Sequence, residues 1–357
     1  MISRYKETYT LPFAHDIPCY LYSYHRQIKK PSRIIKFLKR YFYLAATKEI
    51  KNEKNRILDS HKKILWINKS APSLGDSLMD LSSRSLLFSR DVDLYTDEKN
   101  AHIYENDRIF KNIFYDTKNI KGQEYDLIIL DSYSVRTVRI KKKLYPGTDF
   151  VSMFGFFNGP EVNRVLFSFN RLNFLLGLEL SSSKIQKIAR PSMSIRKAKS
   201  IKLPKTYITI AVGGEWDYRT YNYWPEVIMR ILGDYKNIKI VLVGSENGRK
   251  CSELIMSKSS EKQVIDCVGK YSFRETAKII SESQIFIGCD GGLMHAANCF
   301  QRVLVPLFAR LEPKMQLTKN MIAFPEFDED DVNNISIEAI IRNFDRAFKI
   351  SYKYLQI

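Results

Sequence analysis

The stretch Gln284-Ile285-Phe286-Ile287-Gly288-Cys289-Asp290-Gly291-Gly292-Leu293-Met294-His295-Ala296-Ala297 reads as a buried strand, a glycine turn and the opening of a helix. Its apolar run is short and continuous, as a strand covered on both faces requires. Gly291 and Gly292 let the backbone approach a ligand closely. The helix that follows presents unpaired N–H groups and the positive end of its dipole. Asp290 adds a carboxylate, and His295 a titratable donor on the first turns. A diphosphate beside a polyhydroxylated group suits that combination. The competing reading is an ordinary tight turn, with His295 hydrogen-bonded in the core.

The same strand-then-helix unit recurs on both sides of this stretch. Downstream of residue 205 the apolar runs are Tyr207–Val212, Lys239–Val243, Val264–Val268 and Val303–Leu307. Helices open there at Trp224-Pro225-Glu226, with proline in the first turn, and at the capping box Ser272-Phe273-Arg274-Glu275. Upstream, strands are predicted at Lys63–Asn68, Val92–Tyr95, Tyr125–Leu130 and Phe150–Met153. Helices are predicted over Asp76–Phe88 and from Gly159-Pro160 toward Gly177. Lys184–Lys205 has eight Lys/Arg, no acid and two prolines, and reads as a basic linker. Regular βα alternation in two blocks predicts an α/β protein of two doubly wound domains facing across a cleft. Their expected bounds are 62–183 and 206–335, after a basic extension over 1–61. A terminal helix over 336–357 could cross back to the first domain.

A chain of 357 residues with 45% apolar content can fill two cores. No run approaches the ~20 apolar residues of a membrane span, and residues 1–7 lack the apolar segment of a secretory leader. Five scattered cysteines suggest neither a disulfide framework nor a metal site, so a reducing, cytoplasmic setting is expected. The net charge of +18 is concentrated. Arg26–Lys63 holds thirteen Lys/Arg against three acids, and with the linker it accounts for the whole excess. Segmental charge argues against nucleic acid and for an anionic membrane surface or substrate. Ile34, Phe37, Leu38, Tyr41 and Phe42 fall at helical spacing with lysines and arginines largely opposite. Such a helix either packs on its own domain or lies in a bilayer interface.

In open α/β sheets ligands bind beyond the carboxyl ends of the strands. Besides the Asp290 loop, two loops qualify. In Asn68–Asp76, Asp76 is either a general base for a substrate hydroxyl or a helix cap. In Gly213-Gly214 to Trp224, Arg219 either clamps a phosphate or is solvated. Neither GxGxxG nor GxxxxGK[ST] occurs, and Asp328–Asp331 reads as a solvated acidic run.

Taken together, Ser73-Leu74-Gly75-Asp76-Ser77-Leu78-Met79, Tyr223-Trp224-Pro225-Glu226, Val241–Ser245, Gly269 with Ser272-Phe273, and Asp290–Ala297 resemble glycosyltransferase family 9, the lipopolysaccharide heptosyltransferases. The resemblance covers roughly 62–310 and implies a GT-B fold of two Rossmann-like domains. It implies a metal-independent, inverting transfer of a heptose from ADP-heptose to a lipopolysaccharide-type glycolipid, without a cofactor, at the cytoplasmic face of a bacterial inner membrane. Asp76 matches the family's base and Asp290 its sugar-contacting aspartate, with Gly291, Gly292, Leu293, Met294 and His295 around the diphosphate. Gly213, Gly214, Gly244, Ser245, Gly269, Ser272 and Phe273 complete the implied donor site, and Lys69, Ser73 and Gly75 the acceptor side. The family's lysine two residues before Trp-Pro is Asn222 here, with Arg219 available as a substitute, and its Phe-Gly after the last strand is Phe308-Ala309, followed by Arg310. These departures leave open a different donor, a protein acceptor, or a degenerate GT-B body that binds without catalysis.

Overall fold

The computed structural model describes residues 30–156 and 162–355. The chain divides into two compact units, Met1–Ala189 and Arg190–Ile357. The first contains α1 (Lys30–Ala46), β1 (Lys63–Asn68), α2 (Leu74–Asp80), β2 (Asp91–Thr96), β3 (Phe110–Phe114), β4 (Leu127–Leu130), α3 (Val135–Leu144), β5 (Phe150–Ser152), α4 (Arg164–Leu176) and α5 (Ser182–Ile188). The second contains β6 (Ile208–Ala211), α6 (Trp224–Asp234), β7 (Ile240–Val243), α7 (Arg249–Lys258), β8 (Val264–Asp266), α8 (Phe273–Glu282), β9 (Ile285–Cys289), α9 (Gly292–Cys299), β10 (Val303–Ala309), β11 (Glu326–Asp328) and α10 (Ile337–Leu355).

Each unit is built on one parallel sheet. The first has the order β3-β2-β1-β4-β5 and the second β11-β10-β9-β6-β7-β8. The central strands Ile64–Ile67, Leu127–Leu130, Ile208–Ala211 and Ile240–Val243 are buried throughout, because helices cover both faces of each sheet. The strand order reverses between β1 and β4 in one sheet and between β6 and β9 in the other. Chains diverge there beyond the carboxyl ends, leaving a crevice.

Several expectations are modified. The helix predicted over Asp76–Phe88 is α2 followed by a tighter turn over Ser82–Leu87. Ser168 Oγ donates to the Asp80 carbonyl at 2.7 Å, satisfying an end-of-helix acceptor. β3 and β11 were not expected, since both are short edge strands with exposed middles. The predicted linker begins inside α5, and the unit boundary falls at Ala189. The helix start at Gly159-Pro160 lies outside the described residues; α4 is capped by Asn163 and closed by Gly177 at φ 65°.

Residues 30–61 are a layer of the first unit rather than an appendage. Phe37, Tyr41 and Leu44 enter its core with Leu65, Ile128, Tyr133 and Phe156. The Phe37 and Phe156 rings meet edge-on at 5.0 Å. Beyond α1, Glu49 pairs with buried Lys141, Glu53 accepts from the Tyr133 hydroxyl, and Lys54 N–H donates to Phe150 O at 2.8 Å. α10 buries Ile340, Ile341, Phe344 and Ala347 against Trp224 and Ile228, so its apolar face is spent on the second unit.

Candidate active site

The crevice of the second sheet collects side chains from three strand ends. Beyond β6, Gly213 adopts φ +85°, and a Cβ there would lie 2.7 Å from the Gly248 backbone, so only glycine fits. The following loop is tied down at its far end. Asn222 N–H donates to Asn333 Oδ1 at 2.8 Å, Asn333 Nδ2 to Thr220 O at 2.9 Å, and the Tyr221 hydroxyl to Ile335 O at 3.0 Å. That bracing aims Arg219 at the end of β9, where its Nη1 lies 3.2 Å from Asp290 Oδ2. Asp290 is buried, and its N–H extends the ladder to Leu307 O at 2.8 Å. His295, on the first turns of α9, places Nε2 3.9 Å from Asp290 Oδ1.

β10 contributes Arg310, directly after its last residue. The Arg310 guanidinium lies 4.0 Å over the Tyr218 ring, and the Arg219 guanidinium 5.3 Å from the same ring. Arg310 Nε donates to the Asp330 carbonyl at 2.9 Å, a neutral partner. Two planar cations thus flank one aromatic ring beside the N-terminus of α9, an arrangement that attracts phosphate oxygens. Gly291 is extended at φ 169°, and a Cβ built on it would meet nothing closer than 4.0 Å. The Cys289 thiol is pushed up to about 12 by burial, which removes it as a nucleophile.

The other residues expected on the donor side make contacts within the second unit. Ser245 Oγ donates to Asn247 Oδ1 at 2.8 Å and Asn247 Nδ2 to Gly214 O at 2.7 Å, so Ser245 braces the glycine loop, while Gly244 O accepts from Gly269 N–H at 2.9 Å. Ser272 spends its hydroxyl capping α8 with Glu275, leaving Gly269 and Phe273 on a supporting turn. The Met294 side chain is fully buried in the core, so only its backbone can face a ligand, and Leu293 packs beside it half-buried. The Asn222 side chain is exposed, while its backbone holds the loop.

In the first unit, Ser73 caps α2 and donates from Oγ to Asp76 Oδ2 at 2.7 Å. Arg164, from α4, holds Asp80 through two bonds of 2.7 Å and reaches Asp76 Oδ1 at 3.5 Å. Burial pushes the Asp80 carboxyl up to about 6, with the Arg164 charge pulling the other way. Asp76 is therefore a part-exposed carboxylate on the first turn of α2, served by one hydroxyl and one shared guanidinium. Lys69, expected on the acceptor side, is engaged within the first unit. Its ammonium donates to Thr96 O at 2.7 Å, pairs with Asp97 at 3.0 Å and lies 4.5 Å over Tyr95, which secures the loop. Asp131 at the end of β4 binds the N–H groups of Lys69 and Ser70 at 2.8 and 2.7 Å, fixing the approach to Gly75 and Asp76.

Sequence reading missed Asp80 and Arg164, and it gave no role to Tyr218 or Arg310. Asp80 carries a signal, because it stands four residues after Asp76 on the same helix face. Arg164 carries none, being joined only through the fold. Among the described residues no three His, Cys, Asp or Glu side chains gather as a metal would need, and Asp328 instead accepts three bonds that shape its own turn.

Residues 158–322 match the model of glycosyltransferase family 9 (heptosyltransferase). By this match the chain is similar to the heptosyltransferase-type glycosyltransferases. Its GT-B fold is shared with a family 9 glycosyltransferase of Veillonella parvula, at TM-score 0.64 and 13% identity over 82% of this chain and 99% of the other. The ADP-heptose LPS heptosyltransferase II of E. coli gives TM-score 0.60 and 15% identity over 80% and 98%. E. coli heptosyltransferase WaaC, solved with ADP, gives 0.61 and 14% over 80% and 99%. No curated protein matches the chain in sequence. The family match takes in Gly213, Arg219, Asp290 and Arg310, and leaves Asp76 outside it.

Proposed function

We propose that this glycosyltransferase transfers a heptose, with inversion and without a metal, from ADP-heptose to a lipopolysaccharide-type glycolipid at the cytoplasmic face of a bacterial inner membrane. The observation that carries this reading is the Arg219–Asp290 pair at the strand-order reversal of the second sheet, ahead of the α9 N-terminus. Asp290 and His295 offer an acceptor and a donor to sugar hydroxyls, while Arg219, Arg310 and the first N–H groups of α9 receive the diphosphate. The ADP-heptose in the name of one E. coli heptosyltransferase and the ADP bound to the other support adenine as the base.

In the proposed reaction an acceptor hydroxyl attacks the anomeric carbon, its proton passes to an Asp76 carboxylate oxygen, and the bond to the diphosphate oxygen breaks. Negative charge then grows on the departing ADP. Guanidinium groups and helix N–H groups stabilise it most strongly at that stage, which lowers the barrier. Arg164 contacts one Asp76 oxygen, and the other accepts from the Ser73 hydroxyl.

The test pairs two variants. Asp76→Asn is expected to lower transfer at least about a hundredfold with ADP affinity unchanged, as loss of a general base predicts. Asp290→Ala is expected to weaken nucleotide-sugar binding. Thermal shift against ADP, UDP and their sugars reads the second result, since a ligand of the folded state raises Tm. Stabilisation by UDP-sugars alone would replace the donor, and a mass gain on a co-expressed protein rather than on glycolipid would replace the acceptor. Binding without transfer to either would favour the degenerate reading that Asn222 raises.

A further inference from the structure

Helix α1 has two apolar faces, and the first unit uses one. A second strip runs along the helix, Ile34, Leu38 and Phe42 at successive i, i+4 spacing with Ile35 alongside. These residues are 44%, 41%, 62% and 66% exposed. Folded chains rarely leave such a contiguous apolar strip in water without a use for it. Its surroundings are basic. Lys36 and Lys39 are exposed on the same helix, and α3, which packs against α1, exposes Arg139, Lys142 and Lys143. Arg139 Nε lies 3.5 Å from the Tyr43 hydroxyl, which joins the two basic rows. Neither α1 nor α3 contains an acidic residue.

We propose that the α1–α3 face is a docking surface for a bilayer containing anionic lipid. Ile34, Ile35, Leu38 and Phe42 sink to the boundary between headgroups and acyl chains, while the lysines and arginines meet lipid phosphates. Charge selects this occupant. A second copy would bring the same basic face. Residues 1–29 carry Arg4, Lys6, Arg26 and Lys29 against Glu7 and Asp16, so this segment is also net basic. Only an anionic surface complements an apolar strip ringed by cations. The proposal rests on the membrane-borne acceptor of the proposed function for its purpose, whereas the binding itself needs no sugar transfer.

Vesicle flotation of the full chain tests it. With phosphatidylcholine containing about one third phosphatidylglycerol, binding is expected to exceed that with phosphatidylcholine alone by at least about tenfold, and to fall as salt rises. Lys36→Glu with Lys39→Glu, and separately Leu38→Ser with Phe42→Ser, should each return binding to the phosphatidylcholine level with Tm unchanged, since all four side chains are exposed. Equal binding to both vesicles, or variants that bind as the wild type does, would overturn the proposal. So would a dimer abolished by Phe42→Ser in a chain that ignores vesicles. ADP titration of the same samples separates the two readings: vesicle binding without ADP binding removes only the donor assignment, and the converse removes only this one.

Discussion

Arg310 shows how one residue can change a site without altering its frame. It follows β10 at φ 63°, a left-handed conformation that costs a side-chain-bearing residue about 1 kcal/mol or more. The fold holds it there through Asp330 O and the Tyr218 ring. In the proposed site it adds a second cation to that of Arg219 beside the same ring. Arg310→Ala is therefore expected to weaken ADP by about tenfold, the lower range for one charge-assisted contact. In the proposed site, where the second phosphate would meet both guanidiniums, AMP should lose much less, and calorimetric titration of the two nucleotides checks this. Tyr218→Phe keeps the ring and should bind ADP like the wild type.

Among the elements, α1 divides its work between two neighbouring positions on its apolar surface. Phe37→Ala empties a buried site against Phe156 and is expected to cost about 3–5 kcal/mol, read as a lowered denaturation midpoint. Phe42→Ala removes an exposed ring and should stay within about 0.5 kcal/mol. The sequence made α1 legible as an amphipathic helix but could not divide its face, because Phe37 and Phe42 both fit the helical period and only the position of Phe156 decides between them. The strands of both sheets were readable for the opposite reason. Runs such as Ile240–Val243 are apolar at every position, a pattern that a helix-covered parallel strand alone requires. The Asp290 loop was legible because strand, glycines and helix are contiguous. The Asp76–Arg164–Asp80 cluster was not, since contact across 84 positions leaves no local trace.

For the whole molecule, pH acts on stability through buried titratable groups of the first unit. Burial raises the Asp80 carboxyl from 3.8 to about 6, so the folded chain holds its proton more tightly than the unfolded chain. That group's contribution to stability is fully present below its ordinary value and is lost as pH rises through about 6, about 3 kcal/mol in all. Acidification from about pH 7 to 5 should recover roughly 1 kcal/mol of it in the first unit. His61 works against this, because burial lowers its pKa and protonation below its ordinary range favours the unfolded chain. Denaturation of Asp80→Asn at the two pH values should lack the Asp80 gain and leave the His61 loss. Transfer activity should also decline below about pH 6, since protonation of Asp80 frees Arg164 to bind Asp76 and occupy the carboxylate proposed to take the proton.

Gly291 separates what the fold needs from what the reaction needs. Its extended backbone is open to any amino acid, and the space beside its Cα could hold a methyl group. Gly213 has no such latitude. Alanine at 291 should leave melting unchanged, so any loss of ADP binding in that variant measures ligand clearance alone. The same property makes position 291 a natural starting point for directed evolution of donor preference, because side chains sampled there are screened by the sugar nucleotide rather than by the stability of the protein.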